Sequence, residues 1–539
     1  TAGSVCRHLK IVGRVTTVLS AYQPSALRVA TLPIDAFTDG RTSSHAAEYI
    51  EVRDGILNGL GAAFGDNATG TDEAFLSFIG YPPVLDAIAT LLREEQNYHR
   101  IKGELQDTDL NDVEIKLLHR IVSYILRREK EQKVIPNIVS PLVADMPQKD
   151  RDAIAAQVFA AEEQCVRLVS YCLGKPLTLA EIKEPLINEK YEAQLLSWLP
   201  EHPFITGRLF RSVVFEAVAI ATLIASGTSL DVQLAIEYAS SHKYNYHLVY
   251  LLRLIAADRE IPVRCLPVIL GSALEFRSTT TTVELYVDGS QADDLYAATS
   301  QDDIIETQID VIGGSGGNPK TFLFRSKLDN TSTVELGRRL SSTYVSLPCE
   351  VSLSGIQELE FMAPVEISAA KINLQAPSLV LRHPPSSAAD KHVLLETYQV
   401  ESTLTSIITN GVEFTIAVDD RSGLTYPAIQ YVQQREAVPA DPSLKEKYLR
   451  LKRILVHFRS HSRGTLAKFK KKIENERILG QESGPAILRQ LLTDGVLTLD
   501  GSFYFLQPEK VDEHLGISWH DLRNGHTSQK LLEYLRSIT

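Results

Sequence analysis

The apolar residues of this chain change their period twice, and that change constrains the fold more than any single motif. Up to about residue 275 they recur at helical spacing. Val84, Leu85, Ile88, Leu91 and Leu92 form one stripe, and Val113, Leu117, Ile121, Tyr124 and Ile125 form the next. Side chains three and four positions apart share a helix face, so each stripe predicts a half-buried helix. Further helices are expected at Asp150 to Leu173, Tyr191 to Leu199, Leu209 to Ala225, Leu230 to Ser240 and Tyr246 to Ala257, as an α-bundle or helical solenoid. Near Ser278 the texture switches. Val283, Leu285 and Val287 alternate, and apolar residues then recur at every second position to about Gln434. Val345, Leu347, Cys349, Val351 and Leu353 make the longest run. The pairs Leu359/Phe361, Val365/Ile367, Ile372/Leu374 and Leu379/Leu381 follow, beginning 6, 7 and 7 residues apart. The tripeptides Met362-Ala363-Pro364 and Gln375-Ala376-Pro377 stand 13 apart. Short strands at even spacing predict a β-solenoid or a sandwich, with the solenoid preferred. After the linker Pro439-Ala440-Asp441-Pro442 the helical period returns.

The expected fold class is therefore multidomain α+β. Residues 1–130 read as mixed, then helical, with buried strands at Val15 to Leu19 and Leu27 to Leu32. Residues 131–275 read as all-α, 276–435 as β-rich, and 436–539 as helical with a hairpin. The 539 residues are 44% hydrophobic and 23% charged, which excludes a disordered or collagen-like chain. The most apolar stretch, Val213 to Ala225, carries Glu216 and is too short to span a bilayer, so no membrane association is expected. The five cysteines are scattered, with no CxxC pair, which argues against a disulfide framework or a zinc site. A cytoplasmic location is expected. The chain opens Thr1-Ala2-Gly3-Ser4 without an initiator Met, and is expected to begin inside a domain.

Charge is strongly segregated. Between Lys445 and Arg477 twelve basic residues stand against three acids, a local net of +9; with the whole chain at −12, the remainder carries −21. The same region orders its elements in a recognisable way. Tyr448 to Phe458 predicts a helix, Thr465 to Ile473 a second and Gly484 to Thr493 a third. Val496-Leu497-Thr498-Leu499, the turn Asp500-Gly501 and Phe503-Tyr504-Phe505-Leu506 predict a hairpin. This order resembles a winged helix. Its basic residues are candidate contacts to DNA or RNA: Arg459, Arg463, Lys468, Lys470, Lys471, Lys472 and, on the third helix, Arg489. Most of the charge precedes the third helix, which favours phosphate contact over base reading. The competing expectation is an internal or protein contact, the +9 module docking on the −21 body.

The segment Gly80-Tyr81-Pro82-Pro83, opening the helix of Val84 to Leu92, resembles the GxP motif of STAND-type ATPases, the class that includes NACHT and NB-ARC proteins. There a Gly-x-Pro turn opens a lid helix and the Pro packs on adenine. Pro pre-sets the first helical turn, and Gly lets the backbone approach a ligand. The resemblance covers about the first 110 residues. It makes the early region an NTPase core remnant with a helical lid. It implies ATP or ADP as cofactor, with Gly80, Pro82 and Arg14 as candidate contacts. Arg14 opens the strand expected to end near the phosphates, and Ala46 to Val52 would be the first lid helix. No GxxxxGK[ST] occurs in the sequence, so no catalytic residue is assigned, and ATPase activity would require an upstream P-loop.

Other motifs read as decoys. Gly313-Gly314-Ser315-Gly316-Gly317 matches GxSxG but precedes a strand, not a helix. His457 and His461 lack further metal ligands. The acid pairs Asp293-Asp294, Asp302-Asp303 and Asp419-Asp420 read as solvated turns. The expected function is the regulatory or sensor region of a STAND-like ATPase, with antiphage defence as a candidate setting, coupling nucleotide state to nucleic-acid or partner binding, with protein partners or a homo-oligomer. The alternative is a non-enzymatic nucleic-acid-binding adaptor or scaffold.

Overall fold

The computed structural model describes Phe78, residues 80–94 and most of 113–538. The strands expected at 15–19 and 27–32, the helix at 46–52, and Arg14 lie outside the described residues. The chain divides into two compact units, Thr1–Ile261 and Pro262–Thr539.

The first unit is helical. α1 (Pro82–Glu94) and α2 (Val113–Arg128) carry the two expected stripes. α2 runs on into a wider π-helical stretch, Glu129–Val139, which accommodates Pro136 inside it. The single helix expected over Asp150 to Leu173 is two, α3 (Gln148–Gln157) and α4 (Ala161–Cys172). Between them Phe159 takes a φ of 52°, and its ring is fully buried against Trp198. Burying an aromatic outweighs a few residues of helix propensity. α5 (Pro185–Trp198) follows. The helix expected from Leu209 starts later, because Ile205–Thr206 and Leu209–Phe210 pair as a short hairpin around Gly207. α6 (Val213–Ser226) begins where the Ser212 side chain accepts the Val214 N–H. It ends at Gly227, whose φ of 70° is a left-handed cap. α6 is apolar on nearly every face because it is the central helix, packed against α4, α7 (Ser229–Ser241) and α8 (His247–Ala256).

The second unit opens with α9 (Leu266–Leu274) and three strands, β1 (Thr281–Gly289), β2 (Ile304–Gly313) and β3 (Lys320–Lys327), paired antiparallel. The strands β4 (Thr333–Glu335), β5 (Arg339–Ser346), β6 (Glu350–Ser354), β7 (Glu358–Gln375), β8 (Ser378–Arg382), β9 (His392–Ser402), β10 (Ser406–Ile408), β11 (Glu413–Asp420) and β12 (Val432–Gln434) then pair in parallel. Partners within this parallel set lie 16 to 28 residues apart: Leu359 pairs with Leu379, 20 residues on, Leu340 with Phe361, 21 on, Val365 with Val393, 28 on, and Ile416 with Val432, 16 on. Where the interval is 20–22, three sides of the 6–7-residue spacing make up one coil; the interval of 28 also takes in the connection 383–391 between β8 and β9. The two Ala-Pro tripeptides are corners, where a missing N–H costs no ladder bond. Leu359, Phe361, Val365, Ile367, Ile372, Leu374, Leu379 and Leu381 are each at most 1% exposed and fill the interior. The long alternation from Val345 to Leu353 is not one strand. It turns a corner at Leu347-Pro348-Cys349, from β5 into β6, while keeping its apolar residues inward.

The C-terminal segment folds as α10 (Pro442–Val456), β13 (Arg459–Ser460), β14 (Leu466–Phe469), α11 (Lys470–Ile473), α12 (Glu476–Leu479), α13 (Gly484–Thr493), β15 (Leu497–Asp500) and β16 (Phe503–Leu506). α14 (Pro508–Leu515), α15 (Trp519–Arg523) and α16 (Gln529–Ser537) follow. The third helix and the hairpin fall where the pattern places them. The second helix does not: much of Thr465 to Ile473 is the strand β14, with Ala467, Lys468 and Phe469 opposite Phe505, Tyr504 and Phe503. A hairpin edge satisfied by a third strand overrides the helical preference of a lysine-rich run. The segment has a core of its own, including Tyr448, Leu451, Ile487, Leu491, Tyr504 and Leu535.

Candidate functional site

The outer face of one side of the coils is built by strand alternation. Val287, Val345, Ile367, Leu395 and Ile416 form an interior row across β1, β5, β7, β9 and β11. The residues one position earlier, Tyr286, Tyr344, Glu366, Leu394 and Thr415, therefore face outward, as do Glu284, Asp288 and Glu396. Outward residues of an open sheet are exposed. Here Tyr286, Glu366, Leu394 and Thr415 are only 7%, 4%, 3% and 1% exposed.

The C-terminal segment covers them. Lys452 of α10 donates to both carboxylate oxygens of Glu396, at 2.7 Å each. Lys468 of β14 donates to Glu284 at 2.9 Å and to the Tyr286 hydroxyl, with its ammonium 4.4 Å from the centre of that ring. A desolvated cation over an aromatic face gains from the ring quadrupole as well as from the carboxylate. Burial pushes the Tyr344 phenol up to about 12. Arg453 pulls it back, while Asp288 and Glu366 push it further up. Three cations of the basic segment thus face an acidic, tyrosine-bearing surface.

The expected nucleic-acid contacts divide accordingly. Lys468, expected to meet phosphate, is 4% exposed and held inside the protein. Lys470 lies 3.8 Å from Glu474, one helical turn on. Arg489 is exposed on α13. Arg463 lies outside the described residues. For Arg459 in β13 and Lys471 and Lys472 in α11 the backbone alone is described. Other cations also have internal partners. Lys447 donates to the Ile538 carbonyl at 2.5 Å, and Arg450 to the Ile478 carbonyl at 3.2 Å. Nothing in the sequence singles out Glu284 or Glu396, since outward polar residues on a strand are ordinary; the charge segregation forecast an attraction between the two parts and no particular carboxylate.

The Gly80–Pro82 turn is the second candidate. Pro82 opens α1 and Gly80 is buried. Tyr81 between them donates to the Pro203 carbonyl at 2.8 Å, and the Arg211 guanidinium lies 5.0 Å over its ring. Behind the turn runs a chain of ring contacts. Tyr81 and Phe78 meet Phe215 edge-on, Phe215 stacks on Phe204 at 4.2 Å, and Phe204, His202, Trp198 and Phe159 follow edge to face. His202 Nδ1 accepts the Phe204 N–H at 3.1 Å and its Nε2 lies 3.3 Å from the Gln164 side-chain oxygen, an arrangement that suits a neutral ring. Burial, with Lys133 and Arg128 nearby, drives its pKa down to about 3. Asp86, further along α1, pairs with Arg128 at 2.7 Å, and Arg128 with the fully buried Glu129 at 3.0 Å. Arg167 holds Glu192 with two bonds of 2.7 Å and Glu163 with one of 2.6 Å. The Tyr81 hydrogen bond holds the turn, and the Asp86–Arg128 pair ties the helix it opens to α2.

Among the described residues no group of three or more His, Cys, Asp or Glu is placed to hold a metal ion, and no helix is long and apolar enough to cross a membrane. Neither a scan of family models nor comparison with curated proteins and solved structures found a match.

Proposed function

We propose that this chain is the regulatory region of a multidomain, nucleotide-dependent switch of the STAND type. In this reading the helical unit carries a lid turn at Gly80 and Pro82 that would take ATP or ADP. The three-sided parallel coils are a short β-solenoid, and the C-terminal segment is a winged helix that contacts DNA or RNA. The observation that carries the reading is the order helix, strand, helices, hairpin at the C-terminus, with Arg489 exposed on the helix that precedes the hairpin. That helix is the one that enters a groove in winged-helix and related modules. Binding of a short duplex by the full chain tests it. Affinity should fall steeply with salt, and Arg489→Gln should weaken it about tenfold. No salt-dependent binding would refute the nucleic-acid part.

A second reading is favoured by one observation. Lys447, Arg450, Lys452, Lys468 and Lys470 all have partners within the chain. A module that commits this much of its charge internally fits a non-enzymatic adaptor or scaffold whose winged helix is a protein-contact element. The same titration separates the two.

A further inference from the structure

We propose that the acidic, tyrosine-bearing face of the sheet is a latch that occupies the module's lysines in place of phosphate, so that docking on the sheet and binding a nucleic-acid backbone are mutually exclusive. The proposal rests on the nucleic-acid reading above and deepens it.

Three observations carry it. Lys452 and Lys468 are held on carboxylates with both ammonium groups largely buried, so neither can reach a phosphate while the module is docked. The face that holds them offers what a nucleic-acid backbone offers a lysine: anionic oxygens in Glu284, Glu366, Asp288 and Glu396, and a ring beneath the ammonium in Tyr286. The contact centres on ion pairs, with Leu394 and the Tyr286 ring, both buried, and the half-buried Tyr344 ring as the apolar part of the sheet's outer face. The module's apolar core is made of its own residues, and the interior row of the coils faces away from the contact. The module can therefore leave the face with its own core and the interior row of the coils closed, exposing only outward residues such as Leu394 and Tyr286. Such a contact is selective, because a polyanion competes for the same cations. The shared charges make the exchange a swap of one anionic partner for another.

The test uses the full chain, with a 20-nucleotide DNA duplex and a single-stranded RNA of equal length as probes. Anisotropy is followed across a salt series, and hydrogen exchange at residues 284–288 and 394–396 is followed in parallel. Glu284→Gln with Glu396→Gln is expected to bind at least one probe about tenfold more tightly than wild type. Each additional phosphate neutralised adds about −0.9 to the slope of log K against log salt, so two freed lysines should steepen it by about 2. Adding Lys468→Gln to that variant should remove about half of the steepening. In the wild type, saturating probe should raise exchange at both segments. Equal affinity and slope in wild type and variant would overturn the latch and leave the nucleic-acid reading standing. Absence of binding by either chain at low salt would overturn both. Should the double variant fold poorly, Glu396→Gln alone serves, with a slope steeper by about 1 expected and an unchanged slope overturning the latch.

Discussion

Lys468 and Glu284 are 184 positions apart in sequence and 2.9 Å apart in space, and neither side chain is more than 14% exposed. An ion pair so far from water is costly to half-remove, because the remaining charge keeps its desolvation penalty and loses its partner. The pair therefore ties the basic segment to the sheet more firmly than a surface pair would.

The first prediction concerns that pair. Lys468→Met should destabilise the second unit by roughly 2–4 kcal/mol. Lys468→Met with Glu284→Met should recover much of the loss, since no buried charge is then stranded. Chemical denaturation of the two single variants and the double variant gives the coupling directly. Additive losses would mean that the contact contributes little.

The second concerns His202, 1% exposed and lowered to about 3 by burial and by Lys133 and Arg128. Its folded value lies below its unfolded one, so the unfolded chain takes up the proton first as pH falls. Stability is intact above about pH 6.5 and is lost progressively down to about pH 3. The loss at pH 5 relative to pH 7.5 should be roughly 2 kcal/mol. In His202→Gln the part of the pH dependence due to this ring should vanish, as read from melting temperature against pH.

Glu216 acts with the opposite sign. Burial raises its carboxyl to about 7 in the folded chain. The unfolded chain loses its proton first as pH rises, so the contribution of Glu216 is present below about pH 4.5 and is lost by pH 7. Glu216 keeps some exposure, which limits the effect. Glu216→Gln should stabilise the helical unit at pH 8 by roughly 2 kcal/mol and leave it little changed at pH 4. Because the two groups slope in opposite directions, each must be read in its own variant.

The turn at Gly80 to Pro82 gives a fourth prediction. Tyr81→Phe removes one hydrogen bond to the Pro203 carbonyl and should cost about 1 kcal/mol. Pro82→Ala should cost less than about 1 kcal/mol, since only the pre-set φ is lost. If the turn contacts adenine, ADP should raise the melting temperature of the wild type and raise that of Pro82→Ala less. Equal shifts would remove Pro82 from the nucleotide site, and no shift in either chain would remove ADP.

Much of the local structure was legible before folding was considered. The stripes of α1 and α2, the third helix Gly484–Thr493 and the hairpin around Gly501 lie where periodicity and turn chemistry put them. Periodicity failed where a distant partner overrode a local preference. Phe159 left the helical path to bury its ring, and Lys468 joined a strand because the hairpin offered an edge. The candidate site was less legible. Arg489 is exposed, whereas Lys468, within a lysine-rich run in sequence, is buried.

By itself, the sequence determined for most elements which residues share a face, because side-chain direction at a period of 3.6 or 2 is a local property of the backbone. It also set the segregation of a +9 segment from a −21 remainder. Only the tertiary structure decided that three 6–7-residue sides close into one coil, and that Lys452 and Lys468 meet Glu396 and Glu284. Coil closure depends on pairing between residues 16 to 28 positions apart, and the ion pairs on residues much further apart. Coulombic attraction is non-directional, so a count of charges can forecast that the two parts attract but not which lysine meets which carboxylate.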